Sequence, residues 1–362
     1  MIPVAEPYFD ENEFNNLLET IKTGWISSKG EFISRFEQAF AKYCNMKYSS
    51  STSNGTTALH LALLAVGIKP GDEVIVPSLT FIAPVNTVRY CGAKPVFVDV
   101  NKDYWGIDPE KIKNKITKKT KAIIPVHLYG HPCDMESILE IAKKYNLYVI
   151  EDAAEAHGAE YKGKKVGSFG DISCFSFFGN KNIITGEGGM CLTNNAKFLE
   201  KINLFKNHGM SKKKRYWHEV VGYNYRMTNM QAAVGLAQLK KLDKFIEKKN
   251  QIANLYRHYL KDLINQGLIT PHPKMPWAKN VIWLYSILIN SKSRDEIMKK
   301  LAEKGIDTRP LFYPIHQMPP YKEKNKYPIS EDISRRGISL PSSVKLKKEE
   351  IEYICNELRN IL

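Results

Sequence analysis

Between Thr57 and Ile150 the chain alternates short apolar runs with longer amphipathic stretches, and this alternation restricts the fold more than any other feature. The spacing predicts helices over 57–66, 83–91, 109–116 and 135–145. It predicts strands over 73–76, 95–98, 122–126 and 147–150. Strands that alternate with helices pair in parallel, so the expected body is a mostly parallel sheet covered by helices on both faces. Ligands in such a fold sit at the carboxyl ends of the strands, where Phe81, His127 and Asp152 fall.

Flanking segments extend the pattern. Upstream lies an N-terminal arm, then a helix over 31–43 marked by Phe32, Phe36 and Phe40. Downstream, strands are expected over 171–178 and 189–193, then a helix rich in Ala and Leu over 229–242 and a more basic one to about Asp262. The expected division is a large domain with its arm over 1–240 and a smaller C-terminal α/β domain over 241–362. The latter carries a strand over 283–289, a helix over 294–304, a proline-punctuated loop over 309–321 and a closing helix over 348–361.

Three motifs carry chemistry. The apolar run at Tyr148 ends in Asp152, and Lys181 follows twenty-nine residues later in Ser176-Phe177-Phe178-Gly179-Asn180-Lys181, ahead of Gly186-Glu187-Gly188-Gly189. An acid at a strand end holds a pyridine nitrogen protonated, and a lysine forms a Schiff base with an aldehyde; together they suit pyridoxal 5'-phosphate. The third motif, Asn54-Gly55-Thr56-Thr57, opens a small-residue helix whose N-terminus favours a phosphate. Taken singly, each has a plain structural explanation as a capping acid, a loop lysine or a helix cap. Their conjunction selects the cofactor site.

Composition excludes several classes. Hydrophobic content of 43% and charged content of 25% are those of a soluble globular protein. There is no bilayer-length apolar run and no basic-then-apolar start, so a cytoplasmic protein without a membrane partner is expected. Six scattered cysteines and nine histidines show neither C-x-x-C nor H-E-x-x-H spacing, and no metal site is expected. The formal charge of +15 comes mainly from lysines dispersed along amphipathic helices, which does not point to nucleic acid.

At these residues the chain resembles the DegT/DnrJ/EryC1/StrS sugar aminotransferases. The resemblance runs through Gly24-Trp25-Ile26-Ser27-Ser28, Pro77-Ser78-Leu79-Thr80-Phe81, Glu151-Asp152-Ala153-Ala154-Glu155 and Gly222-Tyr223-Asn224-Tyr225-Arg226-Met227. It implies the aspartate aminotransferase fold (type I), Lys181 as the Schiff-base lysine, Asp152 at the ring nitrogen and Phe81 stacked on the ring. It implies Ser176 with Gly55, Thr56 and Thr57 at the phosphate, and Asn224 reaching the phosphate of a neighbouring subunit in a homodimer with shared sites. Glu155 stands where many relatives carry glutamine, which leaves its contact with the ring hydroxyl open. Trp25, Ser27, Ser28, Tyr313 and His316 are the candidate substrate contacts.

The implied reaction moves the amino group of glutamate onto C4 of a nucleotide-linked 4-keto-6-deoxyhexose for a surface polysaccharide such as O-antigen. The segments 176–181 and 316–321 point to GDP-4-keto-6-deoxymannose, with a UDP- or dTDP-4-keto-6-deoxyglucose as the alternative. Lys181 itself argues against the dehydrating branch, which has histidine there. A non-catalytic sensor that binds the same cofactor is the alternative of another class. It would need a DNA-binding module ahead of the phosphate motif, which already begins near Ser51.

Overall fold

The computed structural model describes residues 1–362. Seven strands form the central sheet: β1 (Tyr48–Thr52), β2 (Glu73–Pro77), β3 (Lys94–Val98), β4 (Thr120–Ile123), β5 (Tyr148–Asp152), β6 (Ile172–Ser176) and β7 (Gly189–Thr193). Their order is β1-β7-β6-β5-β4-β2-β3, with β7 antiparallel to both neighbours and every other pairing parallel. Successive side chains of a strand face opposite ways. Val74, Val76 and Ile150 accordingly pack with the helix Gly55–Val66, whereas Ile75, Ile123 and Val149 pack with the helix Met135–Tyr145. Both faces are thus covered, and β2 and β6 are buried throughout, as parallel sheets require.

The chain runs outward from β2 to β3 and then returns to β4 on the other side of β2. At that reversal the strand ends diverge and leave a crevice. Tight anchoring surrounds it: Asn54 caps the helix Gly55–Val66 by accepting the Thr57 N–H at 2.9 Å. Glu151, pointing away from the crevice, is fully buried. It accepts hydrogen bonds from the amides of Gly167 (2.7 Å), Phe169 (2.7 Å) and Gly170 (2.6 Å) and from Ser173 Oγ (2.8 Å).

Residues beyond about 250 build their own core around Tyr256, Tyr285, Ile287, Ile351 and Ile354. It is backed by an antiparallel sheet in the order Ile269–Thr270, Tyr285–Ile289, Gly337–Leu340, Arg309–Pro310. The first residues of the arm belong to this part, because Asp307 N donates to Ile2 O and Ser342 N donates to Val4 O, both at 2.9 Å.

The structure departs from the sequence reading in several places. The arm contains a capped helix, Glu11–Thr23. The helix expected over 109–116 is α-helical only over Pro109–Ile112 before a tighter 3-10 turn, and the long helix from Asn229 breaks at Leu239 and restarts at Leu242. Strand β1 and the helices Ala196–Lys206 and Pro328–Arg336 were not anticipated.

Candidate active site

Lys181 lies on the loop between β6 and β7. The loop is pinned at its base by hydrogen bonds from Phe177 N to Gly188 O and from Thr185 N to Phe177 O, both 2.8 Å, and by the buried side chains of Phe177 and Ile183. From there the lysine side chain enters a cavity of about 420 Å³ at the carboxyl ends of β2, β5 and β6. Its Nζ is 3.8 Å from Glu155 Oε1 and 3.8 Å from the centre of the Trp283 ring. Burial pushes the amine below the usual lysine range, and the charges of Glu155 and Asp152 offset this in part.

Asp152 ends β5 and is 5% exposed. Its Oδ1 accepts the Ala154 N–H at 3.0 Å, while Oδ2 takes no donor from the protein. Burial raises its carboxyl above the ordinary range, against the Ala154 amide and the charge of Lys181. A protonated ring nitrogen would supply the donor and the positive charge that this carboxylate lacks. Glu155 is raised by burial too, although Lys181 and the Tyr129 amide, which donates to its Oε2 at 2.7 Å, act the other way.

At one end of the cavity, Gly55 and Thr56 present first-turn N–H groups that have no partner in the chain, beside the hydroxyl of Ser176. A Cβ built on Gly55 would lie 2.7 Å from Ser176 Cβ, so only glycine lets the helix start approach the end of β6 this closely. Free amides at a helix N-terminus and an adjacent hydroxyl suit a phosphate. The lining therefore fits pyridoxal phosphate at its phosphate, ring nitrogen and aldehyde ends.

Gly55, Thr56, Phe81, Asp152, Glu155, Ser176 and Lys181 all line this cavity. Thr57 does not, since its N–H and hydroxyl are taken by the cap with Asn54. Phe81 stands half exposed beside the Phe312 ring, 5.7 Å away. His316 is buried outside the cavity, with Nδ1 2.6 Å from Ser78 Oγ and Nε2 3.1 Å from Glu331 Oε1. His127 is equally withdrawn, its ring held between Glu151 and the Cys133 amide.

Tyr313 is exposed near Arg294. Trp25 and Ser27 do not line the cavity, and their carbonyls accept from Asn229 at 2.7 and 2.6 Å. Ser28 borders a separate basin of about 750 Å³ with Lys29, Lys206, Lys212 and Arg226. Asn224 is exposed and accepts from Arg226 Nε at 2.9 Å.

Sequence reasoning missed the aromatic wall. Tyr129, Phe312 and Trp283 form a stack, with ring centres 5.4 Å apart for Tyr129–Phe312 and 5.9 Å for Tyr129–Trp283. Trp283 Nε1 donates to Asn180 O at 2.7 Å, which ties the wall to the lysine loop. Among charged lining residues, Glu187 and Arg309 were also missed. Tyr129 lies in the three-residue 3-10 turn Leu128–Gly130 and Phe312 in an irregular segment, both too short for periodicity to mark them.

A mostly parallel sheet with a buried lysine and a strand-end carboxylate facing one phosphate-cradling crevice defines a pyridoxal-phosphate-dependent aminotransferase. The chain belongs to the DegT/DnrJ/EryC1/StrS aminotransferase family, whose profile matches residues 7–359. Among its relatives is the GDP-perosamine synthase of Escherichia coli O157:H7, 51% identical over 99% of this chain and 97% of that protein. That of Caulobacter vibrioides is 48% identical over 100% and 98%. Similar solved structures include an aminotransferase from Psychrobacter cryohalolentis, with a TM-score of 0.93 at 32% identity over 98% of each chain. The sugar aminotransferase Spr1654 of Streptococcus pneumoniae in its PLP form also has a TM-score of 0.93, at 28% identity over 99% of this chain and 98% of that one. No helix of the chain is long and apolar enough to cross a membrane.

Proposed function

We propose that the protein transfers the amino group of glutamate to C4 of GDP-4-keto-6-deoxymannose, giving GDP-perosamine for a surface polysaccharide such as O-antigen. The observation that carries this reading is the 51% identity to a GDP-perosamine synthase along nearly the whole of both chains, with the chemical residues in one cavity.

Pyridoxal phosphate, when bound, supplies an aldehyde carbon that exchanges amino groups and a ring that accepts the electrons of a broken C–H bond. The chain's own residues do the rest. Lys181 would hold the aldehyde end of the cofactor, and its Nζ, once freed by the donor amine, would be the base that moves the donor's Cα proton. Its depressed basicity leaves more of the amine neutral at neutral pH than an ordinary lysine would have. Asp152 would keep the ring nitrogen protonated, Gly55, Thr56 and Ser176 would hold the phosphate, and Phe81 would cover the ring. The Tyr129–Phe312–Trp283 wall gives the cavity an apolar side next to Lys181 Nζ.

The active unit in this reading is a homodimer, with Asn224 completing the phosphate site of the partner. It is supported by exposed apolar side chains on the arm helix, at Phe14, Leu18 and Ile21, and by the exposed Trp25 just past its end. The experiment is to supply glutamate with GDP-, UDP- or dTDP-4-keto-6-deoxyhexose and identify the products by mass and NMR. The C4-amino sugar should form fastest from the GDP-linked mannose derivative. Preference for a UDP- or dTDP-linked glucose derivative would overturn the assignment of substrate and leave the chemistry standing.

A further inference from the structure

We infer that Arg309 binds a carboxylate of the amino donor. This rests on the reading above that glutamate is the donor. Arg309 sits on the short strand Arg309–Pro310, opposite Ser339 in the C-terminal sheet, and both residues line the cavity that holds Lys181.

Its guanidinium makes no ion pair and no hydrogen bond within the chain. Other arginines of the same part are all committed: Arg257 to the His272 carbonyl, Arg294 to Asp295, Arg335 and Arg336 to Asp332, and Arg359 to Asp262. An arginine left unpaired beside a reaction cavity presents its planar fork of donors to whatever enters, and that fork matches a carboxylate in bidentate fashion.

The charge pattern of the lining narrows the ligand. Besides Lys181, Arg309 is the one cationic side chain on the cavity wall, while Asp152, Glu155 and Glu187 are acids. Glutamate enters with two carboxylates and an ammonium group. Its nitrogen must reach the carbon that Lys181 serves, so at least one carboxylate comes close to acids that repel it. Arg309 supplies the compensating charge, and it does so from the C-terminal sheet, so a bound donor bridges that sheet and the central one.

The test is rapid mixing of cofactor-loaded protein with rising glutamate, following the absorbance of the bound cofactor. Calorimetric titration with glutarate, a dicarboxylate without the amino group, reads binding independently of turnover. Arg309→Ala should raise the apparent dissociation constants for glutamate and glutarate about ten- to hundredfold, the range for hydrogen bonds to a charged group. Arg309→Lys should fall between, and it carries the test should the alanine variant lose its cofactor.

Constants within about twofold of wild type would overturn the inference, as would a shift confined to the nucleotide-sugar concentration dependence. If glutamate leaves the absorbance of the wild-type protein unchanged, the donor reading itself falls and the role of Arg309 with it.

Discussion

Gly55 and Ser176 are packed against each other so closely that a Cβ on the glycine would lie 2.7 Å from the serine Cβ. Two segments far apart in sequence, the start of the helix Gly55–Val66 and the end of β6, thereby bring two free amides and a hydroxyl to one point. The variant Gly55→Ala should fold, at a cost of about 1–3 kcal/mol for the forced separation. It should also hold the cofactor at least about tenfold more weakly, since a charged hydrogen bond contributes about 1.5–3 kcal/mol. Titration of the cofactor into stripped protein, followed by absorbance, checks this. Affinity equal to wild type would place the phosphate elsewhere.

Asp152→Asn should leave the fold intact and nearly abolish turnover. The carboxylate has one protein donor, and its role here is to balance a ring cation in a buried place. Removing one partner of such a pair costs about 3–5 kcal/mol, or two to nearly four orders of magnitude in rate. A loss of less than about tenfold in kcat/KM would mean that the acid at the ring nitrogen is another residue.

The neighbouring acid should behave in the opposite way, as a support of the fold. Burial raises the Glu151 carboxyl, but the hydrogen bond and charge of His127 and the amides of Gly170 and Gly167 outweigh it, and the net shift is downward. A carboxyl depressed in the folded state contributes stability above its unfolded value, near 4.3 for glutamate, and that stability is lost as pH falls through the lower folded value. Glu151→Gln should therefore lower stability at pH 7 by roughly 3–5 kcal/mol and flatten the acid limb of the stability curve below about pH 4.3. Urea titrations from pH 3 to 7 measure both effects. An unchanged midpoint would show that the buried network adds little.

The shared-site reading predicts complementation between inactive chains. Lys181→Ala and Asn224→Ala, co-expressed or refolded together at limiting cofactor, should regain activity beyond the sum of the separate variants, because mixed dimers keep one intact site. Sedimentation of a fully active monomer, or refolded mixtures that never exceed the sum, would refute it.

What the sequence revealed and what it concealed follow from the same physics. Asp152 and Lys181 were legible because a strand run and a glycine-rich loop frame them within a short span. Strand β1 was not, because its Tyr-Ser-Ser-Ser-Thr has no apolar alternation. Its hydroxyls are buried through partners such as Glu37 and Asn203, which only the fold supplies. The helix Glu11–Thr23 carries Phe14, Leu17, Leu18 and Ile21 at helical spacing, a signal present in the sequence but passed over where the segment was read only as an arm.

His316 drew notice as a histidine in an irregular loop, yet its two ring nitrogens are spent on Ser78 and Glu331. The aromatic wall and Arg309 stayed hidden because Tyr129, Trp283, Arg309 and Phe312 converge on Lys181 from positions up to 131 residues away in sequence.

The most direct test of the central claim is to fix the cofactor to the protein with borohydride and locate the modified peptide by mass spectrometry. A single phosphopyridoxyl-modified lysine is expected at Lys181, with no label once glutamate has first converted the cofactor to its amine form. Label on any other lysine, or label at Lys181 that persists after glutamate, would contradict it.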